Sequence, residues 1–360
     1  MKPLGKSGNM DSYFKGKHVL VTGHTGFKGS WLCKILIGMG ADVTGFALAP
    51  NSEAKLFDLS KVETKMHSII GDIRDLKALQ KAFDVSQPEI VIHLAAQALV
   101  RESYEDPRLT YEVNVMGTVN LFECIRQYEC VKSVLNVTTD KVYLNHEKDY
   151  AYIESDPLDG FDPYSNSKSC SELVTHSYQK AFFSNRSIAI STARAGNVIG
   201  GGDFAKDRII PDCFRALSAK TDIIIRNPYS IRPYQHVLEP LFAYLMILER
   251  QALDSNLMGY YNVGPDDKDC VTTGTLVDLF CKSWQDLSTY KASWINQHDG
   301  GPHEAKFLKL DCSKLKTTFN WLPKWDINDA IKYSVEWYIA YQNKEDVSAL
   351  MDTQIQAFRK

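Results

Sequence analysis

The chain is predicted to be a doubly wound α/β protein, and three observations predict it. Short β-branched runs alternate with longer helical patterns through the first half of the chain. The strands among them are continuously apolar rather than alternating, and a glycine-rich turn stands at the first strand-to-helix junction. Continuously apolar strands separated by helices mark a parallel sheet covered on both faces. In such sheets a glycine-rich turn after the first strand faces a ligand.

Taken in order, His18 to Thr22 has a buried-strand pattern, Gly29 to Gly40 a helix, Asp42 to Ala47 a second strand and Ser68 to Gly71 a third. Asp75 to Phe83 is a helix, Ile90 to Leu94 a strand, Val113 to Gln127 a long helix and Val134 to Thr138 a strand. After about Ala181 the pattern becomes mixed. Ile188 to Ala193 still belongs to the sheet, whereas Ile209 to Ser218, Ile223 to Arg226 and Val237 to Gln251 are pieces of a smaller mixed α/β domain capping the first. The expected division is a loose leader at 1–16, a dinucleotide-binding domain with the catalytic residues at 17–196, and a mainly substrate-binding domain at 197–360 with segments returning to the first.

The bulk numbers exclude several classes. At 360 residues the chain has room for two domains, and with 44% hydrophobic residues, 24% charged residues and a net charge of −3 it is an ordinary globular composition. No basic stripe is present, so no nucleic-acid partner is expected. The longest apolar runs, such as Leu241 to Leu248, fall far short of the roughly 20 residues of a membrane span. Met1 to Gly16 lacks the apolar stretch of a secretory signal. Eight cysteines scattered from Cys33 to Cys312 show no Cys-x-x-Cys pair and no metal-ligand spacing. That pattern fits free thiols in a reducing cytoplasm, with neither disulfides nor a metal expected.

The turn after the first strand reads Thr22-Gly23-His24-Thr25-Gly26-Phe27-Lys28-Gly29. Glycines here permit a tight turn and let backbone amides approach a pyrophosphate at a helix N-terminus. The second strand ends Gly45-Phe46-Ala47-Leu48 without the acidic residue that usually binds an NAD ribose, and no arginine follows that would suit a 2′-phosphate, so NAD is favoured over NADP. After the third strand, Asp72 and Ile73 are placed to meet the adenine; the other reading makes Asp72 the cap of the helix beginning near Leu76. His24 is read as a turn residue.

Tyr164-Ser165-Asn166-Ser167-Lys168 places a phenol and an ammonium one turn apart on a helix face. A nearby positive charge lowers a phenol's pKa, so Tyr164 beside Lys168 can act as a base on a sugar hydroxyl. The strand Val134 to Val137 runs into Thr138-Thr139-Asp140-Lys141, which puts hydroxyl, carboxylate and amine at the carboxyl end of a parallel strand, where ligands bind.

From about Lys17 to Ser313 the chain resembles the extended short-chain dehydrogenase/reductase family. The motifs that carry the resemblance are Thr22 to Gly29, His93-Leu94-Ala95-Ala96, Tyr164 to Lys168, Arg194 to Gly200, Asn262-Val263-Gly264 and Gly301-Pro302-His303, in the family's order. Thr139-Asp140-Lys141 is similar to the sugar-nucleotide 4,6-dehydratases, most of which carry glutamate where Lys141 stands; lysine there resembles the branch acting on CDP-glucose. Gly23 to Leu32 and Arg232 to Pro240 are similar to that branch as well.

The resemblance implies a Rossmann-type NAD-binding domain, with Gly23, Gly26, Phe27, Lys28, Gly29, Asp72, Ile73, Leu94, Ala95, Ala96, Tyr164 and Lys168 around NAD. It implies that Tyr164, with Lys168 and Thr139, removes the C4 hydroxyl proton as hydride passes from C4 to NAD. Asp140 then protonates the departing C6 hydroxyl, Lys141 acts at C5 either as base or as a cation stabilising the enolate, and hydride returns to C6. Asn197, Arg232 and His303 are the expected contacts of the nucleotide sugar, since arginine offers a fixed fork of donors to phosphate. A cytoplasmic homodimer is implied, built on the helix after Thr110 and the helix carrying Tyr164. Two rival readings remain at this stage: a 4-epimerase or reductase on the same fold, and a non-enzymatic dinucleotide-binding redox sensor.

Overall fold

A computed structural model describes residues 10–50, 55–288, 291–298, 300–301 and 305–360. Its centre is a seven-stranded parallel sheet made of β1 (His18–Thr22), β2 (Asp42–Ala47), β3 (His67–Ile70), β4 (Ile90–His93), β5 (Ser133–Thr139), β6 (Ala189–Ala195) and β7 (Tyr260–Val263). The spatial order is β7-β6-β5-β4-β1-β2-β3, every neighbouring pair running parallel. The order therefore reverses beside β1, between β4 and β2, which is where doubly wound sheets open a crevice at the carboxyl ends of their strands.

The strands pair this way because they are apolar on both faces. Along β1, Val19 and Val21 enter one buried cluster while Leu20 enters the other; Ile90 and Ile92 are divided from Val91 in β4, and Leu135 and Val137 from Val134 in β5. A period of two thus feeds two cores, one on each face of the sheet. One face is covered by α3 (Leu76–Ser86) and α4 (Gly117–Gln127), whose Leu79, Phe83, Leu121, Phe122 and Ile125 are fully buried. The other is covered by α2 (Phe27–Gly38) and α7 (Leu238–Leu253), with Trp31, Leu36, Leu241 and Leu248 inside.

Several expectations are corrected. Residues 10–14 are not a loose leader. Met10–Phe14 form the short helix α1, and Phe14 is fully buried in the main core. An isolated aromatic just before β1 carries no periodicity, but its burial removes a large apolar surface from water. The helix expected from Val113 begins instead as a π-helical turn, Glu112–Met116, that leads into α4. The cap of α3 is Asp75, whose carboxylate accepts the amides of Lys77 and Ala78, each at 3.0 Å; Asp72 instead pairs with Arg74 at 2.7 Å.

Beyond β6 the chain builds the cap: α6 (Ile209–Ser218), the short strand Ile223–Ile225, and Ile231–Pro233 paired antiparallel with Cys270–Thr272. α8 (Thr273–Leu287) follows, then α9 (Ile327–Gln342) and α10 (Val347–Arg359). No helix among the described residues is long and apolar enough to cross a membrane.

Candidate active site

The glycine turn is held by its neighbours' backbones. Gly23 has φ +76°, and a β-carbon there would lie 2.7 Å from the Ala95 nitrogen; one on Gly29 would lie 2.1 Å from the Gly23 carbonyl oxygen. Gly26 precedes the first turn of α2 and makes no side-chain cap, which leaves that turn's amides to an anion. Leu94 and Ala95 leave β4 with their amides on the Thr22 hydroxyl, each at 3.2 Å. Ile73 is buried against Gly117. A dinucleotide's pyrophosphate fits this cradle, because the space that β-carbons would fill is kept open next to a helix N-terminus without a side-chain cap.

His24 is more than a turn residue. It is fully buried, its Nε2 pairs with Ser68 Oγ at 2.8 Å, and its ring occupies the space above Gly45 that a β-carbon would invade at 2.2 Å. Burial pulls its pKa down to about 4, so it is neutral.

Beside the turn, at the carboxyl ends of β5 and β6, lies a cavity of about 370 Å³. Phe27, Lys28, Thr139, Asp140, Lys141, Tyr164, Asn197 and Arg232 all line it. Strand tip, adjacent helix and cap thus bring together residues that stand more than 200 positions apart in the chain. His303 lies outside the described residues.

Tyr164 and Lys168 sit on α5 (Pro163–Phe182), which starts with Asp162 accepting the Ser165 amide at 2.9 Å and with proline in its first turn. Here the electrostatics depart from expectation. The Tyr164 phenol is pushed up to about 12 by burial; a hydrogen bond with Thr139 and the charge of Arg208 pull it down, and Asp140 opposes them. The cation with the largest pull on it is Arg208. The Lys168 side chain is buried, and its Nζ donates to the Val137 carbonyl at 3.1 Å, which satisfies a polar group taken out of water.

Asp140 is buried, and burial raises its pKa against the pull of Lys141, Thr139, Arg232 and Lys28. Its Oδ1 accepts the Thr139 hydroxyl at 2.9 Å, while Oδ2 has no partner among the described residues. A carboxyl whose proton is retained to higher pH, with one oxygen uncommitted, can donate that proton. Lys28 sits in the same cavity with its pKa lowered to about 7 by burial and by the charges of Arg208 and Lys168. The Arg232 guanidinium donates to the carbonyls of Ile231 and Ala305, which hold it at the cavity wall.

Three groups escaped the sequence reading. Asn114, in the π-helical turn, is buried, accepts the Gln97 amide at 2.9 Å and donates to Ser167 Oγ at 2.9 Å, so it joins the loop after β4 to α5. Its signal was one polar residue on the inward side of an amphipathic segment. Arg208 lines the cavity, held by Asp203 at 3.0 Å. Glu172 is buried one turn beyond Lys168 and pairs with Arg194 at 3.0 Å. Nothing in the sequence separates these last two from surface charges.

The family model described as GDP-mannose 4,6 dehydratase matches residues 20–333. The chain is similar to CDP-glucose 4,6-dehydratase of Salmonella typhimurium, 45% identical over 93% of this chain and 94% of that one. It is similar in structure to the NAD complex of UDP-glucose 4-epimerase from Thermus thermophilus, with 25% identity, a TM-score of 0.76, and 89% of this chain and 98% of that one covered. The fold is also that of dTDP-glucose 4,6-dehydratase from Bacillus anthracis, at 20% identity and a TM-score of 0.75 over 92% of this chain and 100% of that one. With its model matched across most of the chain, the family is settled: the chain belongs to the GDP-mannose 4,6 dehydratase family.

Proposed function

We propose that this protein dehydrates CDP-glucose to CDP-4-keto-6-deoxyglucose by oxidation at C4, loss of water across C5 and C6, and hydride return to C6. The observation that carries the reading is one cavity lined at once by Thr139, Asp140, Lys141 and Tyr164. The 45% identity to a CDP-glucose 4,6-dehydratase supports the choice of substrate. NAD, held by Gly23, Gly26, Phe27, Lys28, Gly29, Asp72, Ile73, Leu94, Ala95, Ala96, Tyr164 and Lys168, supplies a hydride acceptor and donor when bound.

The chain's own residues do the rest. Tyr164 acts as its phenolate, which the Thr139 hydroxyl and the charge of Arg208 favour, and takes the C4 hydroxyl proton to become the neutral phenol. The C4 ketone acidifies the C5 hydrogen, and Lys141 either accepts that proton or stabilises the enolate as a cation. Asp140 gives its proton to the C6 hydroxyl as it leaves, so water departs without an unprotonated hydroxide. Return of a proton to C5 and of hydride to C6 completes the product. Arg232, Asn197 and His303 hold the nucleotide portion, and Ile209, Ile210 and Pro211 form an apolar wall suited to a base.

The protein acts in the cytoplasm as a homodimer paired through the helices around Thr110 and α5, where Tyr111, Met116 and Leu173 are exposed; light scattering after size exclusion tests the dimer. Activity is tested by incubation with CDP-glucose, dTDP-glucose, GDP-mannose and UDP-glucose, each followed for 4-keto product and for solvent deuterium at C5. CDP-glucose should react, and Tyr164→Phe should lower its turnover by about 10²-fold or more. A C4 epimer without 4-keto product, or no turnover of any of the four, refutes the reading.

A further inference from the structure

On one face of α5, Tyr164, Lys168 and Glu172 follow at four-residue spacing, each one turn from the next. Glu172 is fully buried and grips two strands at once. Its Oε1 accepts the Thr138 hydroxyl of β5 at 2.5 Å, and its Oε2 accepts the Thr192 hydroxyl at 2.8 Å and an Arg194 guanidinium hydrogen at 3.0 Å, both from β6. Arg194 is buried too, and donates from its other terminal nitrogen to Tyr143 Oη and the Glu154 carbonyl. Thr138 directly precedes Thr139, Asp140 and Lys141. One carboxylate therefore sets the register between the helix that bears the phenol and the strand tip that bears the acid.

The same carboxylate answers a second need. Lys168 is buried with a backbone carbonyl as its hydrogen-bond acceptor, and an ammonium in such a place requires a formal negative charge nearby. The titratable and charged groups around it and that carboxylate are Tyr164, Glu172 and His176 on its own helix, the last with Nε2 3.4 Å from Glu172 Oε2, His93 on β4, Asp140 at the tip of β5, Lys28 in the glycine turn and Arg194 on β6. His93 is neutral, because burial and then the charge of Lys168 hold its pKa at about 3. Burial lowers Lys168 to about 8, and Glu172 is the group that pulls it back up.

We propose that Glu172 is a positioning residue for the Tyr164 and Lys168 pair: its carboxylate, locked between β5 and β6, keeps Lys168 protonated in the interior and holds that helical turn in register with the Thr139 to Lys141 tip. The inference rests on the dehydratase reading for its role in turnover, but the charge relation can be measured without any substrate. Glu172→Gln alone leaves Arg194 buried without its partner and is expected to fold poorly. The decisive variant is therefore Glu172→Gln with Arg194→Met, which removes both charges, alongside Glu172→Asp, which keeps the charge.

The readout is the pH titration of the Lys168 Cε resonance by NMR in the intact protein as purified, assigned with Lys168→Arg. The midpoint should fall by about one pH unit or more in the double variant and stay near the parent's in Glu172→Asp. The pH limb of kcat should move with it, with KM little changed. An unchanged midpoint in the folded double variant overturns the proposal, as does a Glu172→Asp midpoint as low as the double's. A shifted midpoint in a protein whose parent turns over no nucleotide hexose sinks the dehydratase reading and leaves the charge relation standing.

Discussion

Replacing Gly23 by alanine tests the cradle at its tightest point. The residue has φ +76°, a left-handed conformation that costs an L-residue about 1–2 kcal/mol. The new β-carbon would stand 2.7 Å from the Ala95 nitrogen and 2.9 Å from the Leu94 carbonyl carbon, well inside the 3.4 Å at which ordinary contact begins. That backbone cannot retreat cheaply. The amides of Leu94 and Ala95 are both tied to Thr22 Oγ1 at 3.2 Å, and Leu94 is tied to the Thr22 carbonyl at 3.1 Å. Overpacking of this kind costs about 1–3 kcal/mol, so the sum is about 2–5 kcal/mol.

Gly26→Ala is the control. Its backbone, at φ −80° and ψ 175°, suits any residue, and its β-carbon would meet Gly23 O at 3.4 Å. Stability should hold to within about 0.5 kcal/mol, while the added methyl at the start of α2 obstructs an approaching pyrophosphate. Urea unfolding followed by tryptophan fluorescence, with NAD released from the purified protein measured in parallel, separates the two effects. Gly23→Ala should lose stability and NAD together, whereas Gly26→Ala should lose NAD alone. A Gly23→Ala protein with the parent's unfolding midpoint, or a Gly26→Ala protein equally destabilised, refutes the reasoning.

Asp140→Asn should slow water loss by about 10²-fold or more while the first oxidation at C4 is largely kept, which rapid-quench analysis of the 4-keto hexose species checks. An elimination rate equal to the parent's removes Asp140 from the acid role. Lys141→Ala should abolish C5 exchange with solvent; exchange and turnover both unchanged would exclude either role for that amine. Glu239→Gln addresses stability. Glu239 Oε1 accepts the amides of Lys324 at 2.8 Å and Trp325 at 2.7 Å, its Oε2 has no partner among the described residues, and burial raises the carboxyl from 4.5 to about 7. The folded state thus holds this proton more tightly than the unfolded chain. Stability is therefore lost as pH rises from 4.5 through about 7, and the penalty is complete above it. Glutamine should accordingly stabilise the protein by up to about 3 kcal/mol above neutral pH and by almost nothing near pH 4; a gain independent of pH in the unfolding midpoint would show that the carboxylate's charge is not the cause.

The amino-acid sequence by itself determined the sheet and the places where its chemistry lies. Continuous apolar runs at β1, β4 and β5 leave no solvated face, so only a sheet covered on both sides can bury them, and local spacing alone puts Tyr164 and Lys168 on one helix face and Thr139 to Lys141 at a strand end. The tertiary structure decided the electrical state of those groups, because burial and distant partners set it. Lys168 donates to the Val137 carbonyl; Arg208 and Thr139 come from other elements to act on Tyr164; and Glu172, alike in sequence to any surface charge, becomes the interior partner of Arg194. The packing of Phe14, the π-helical turn at Asn114 and the lodging of His24 over Gly45 were likewise settled by long-range fit, which no local periodicity encodes.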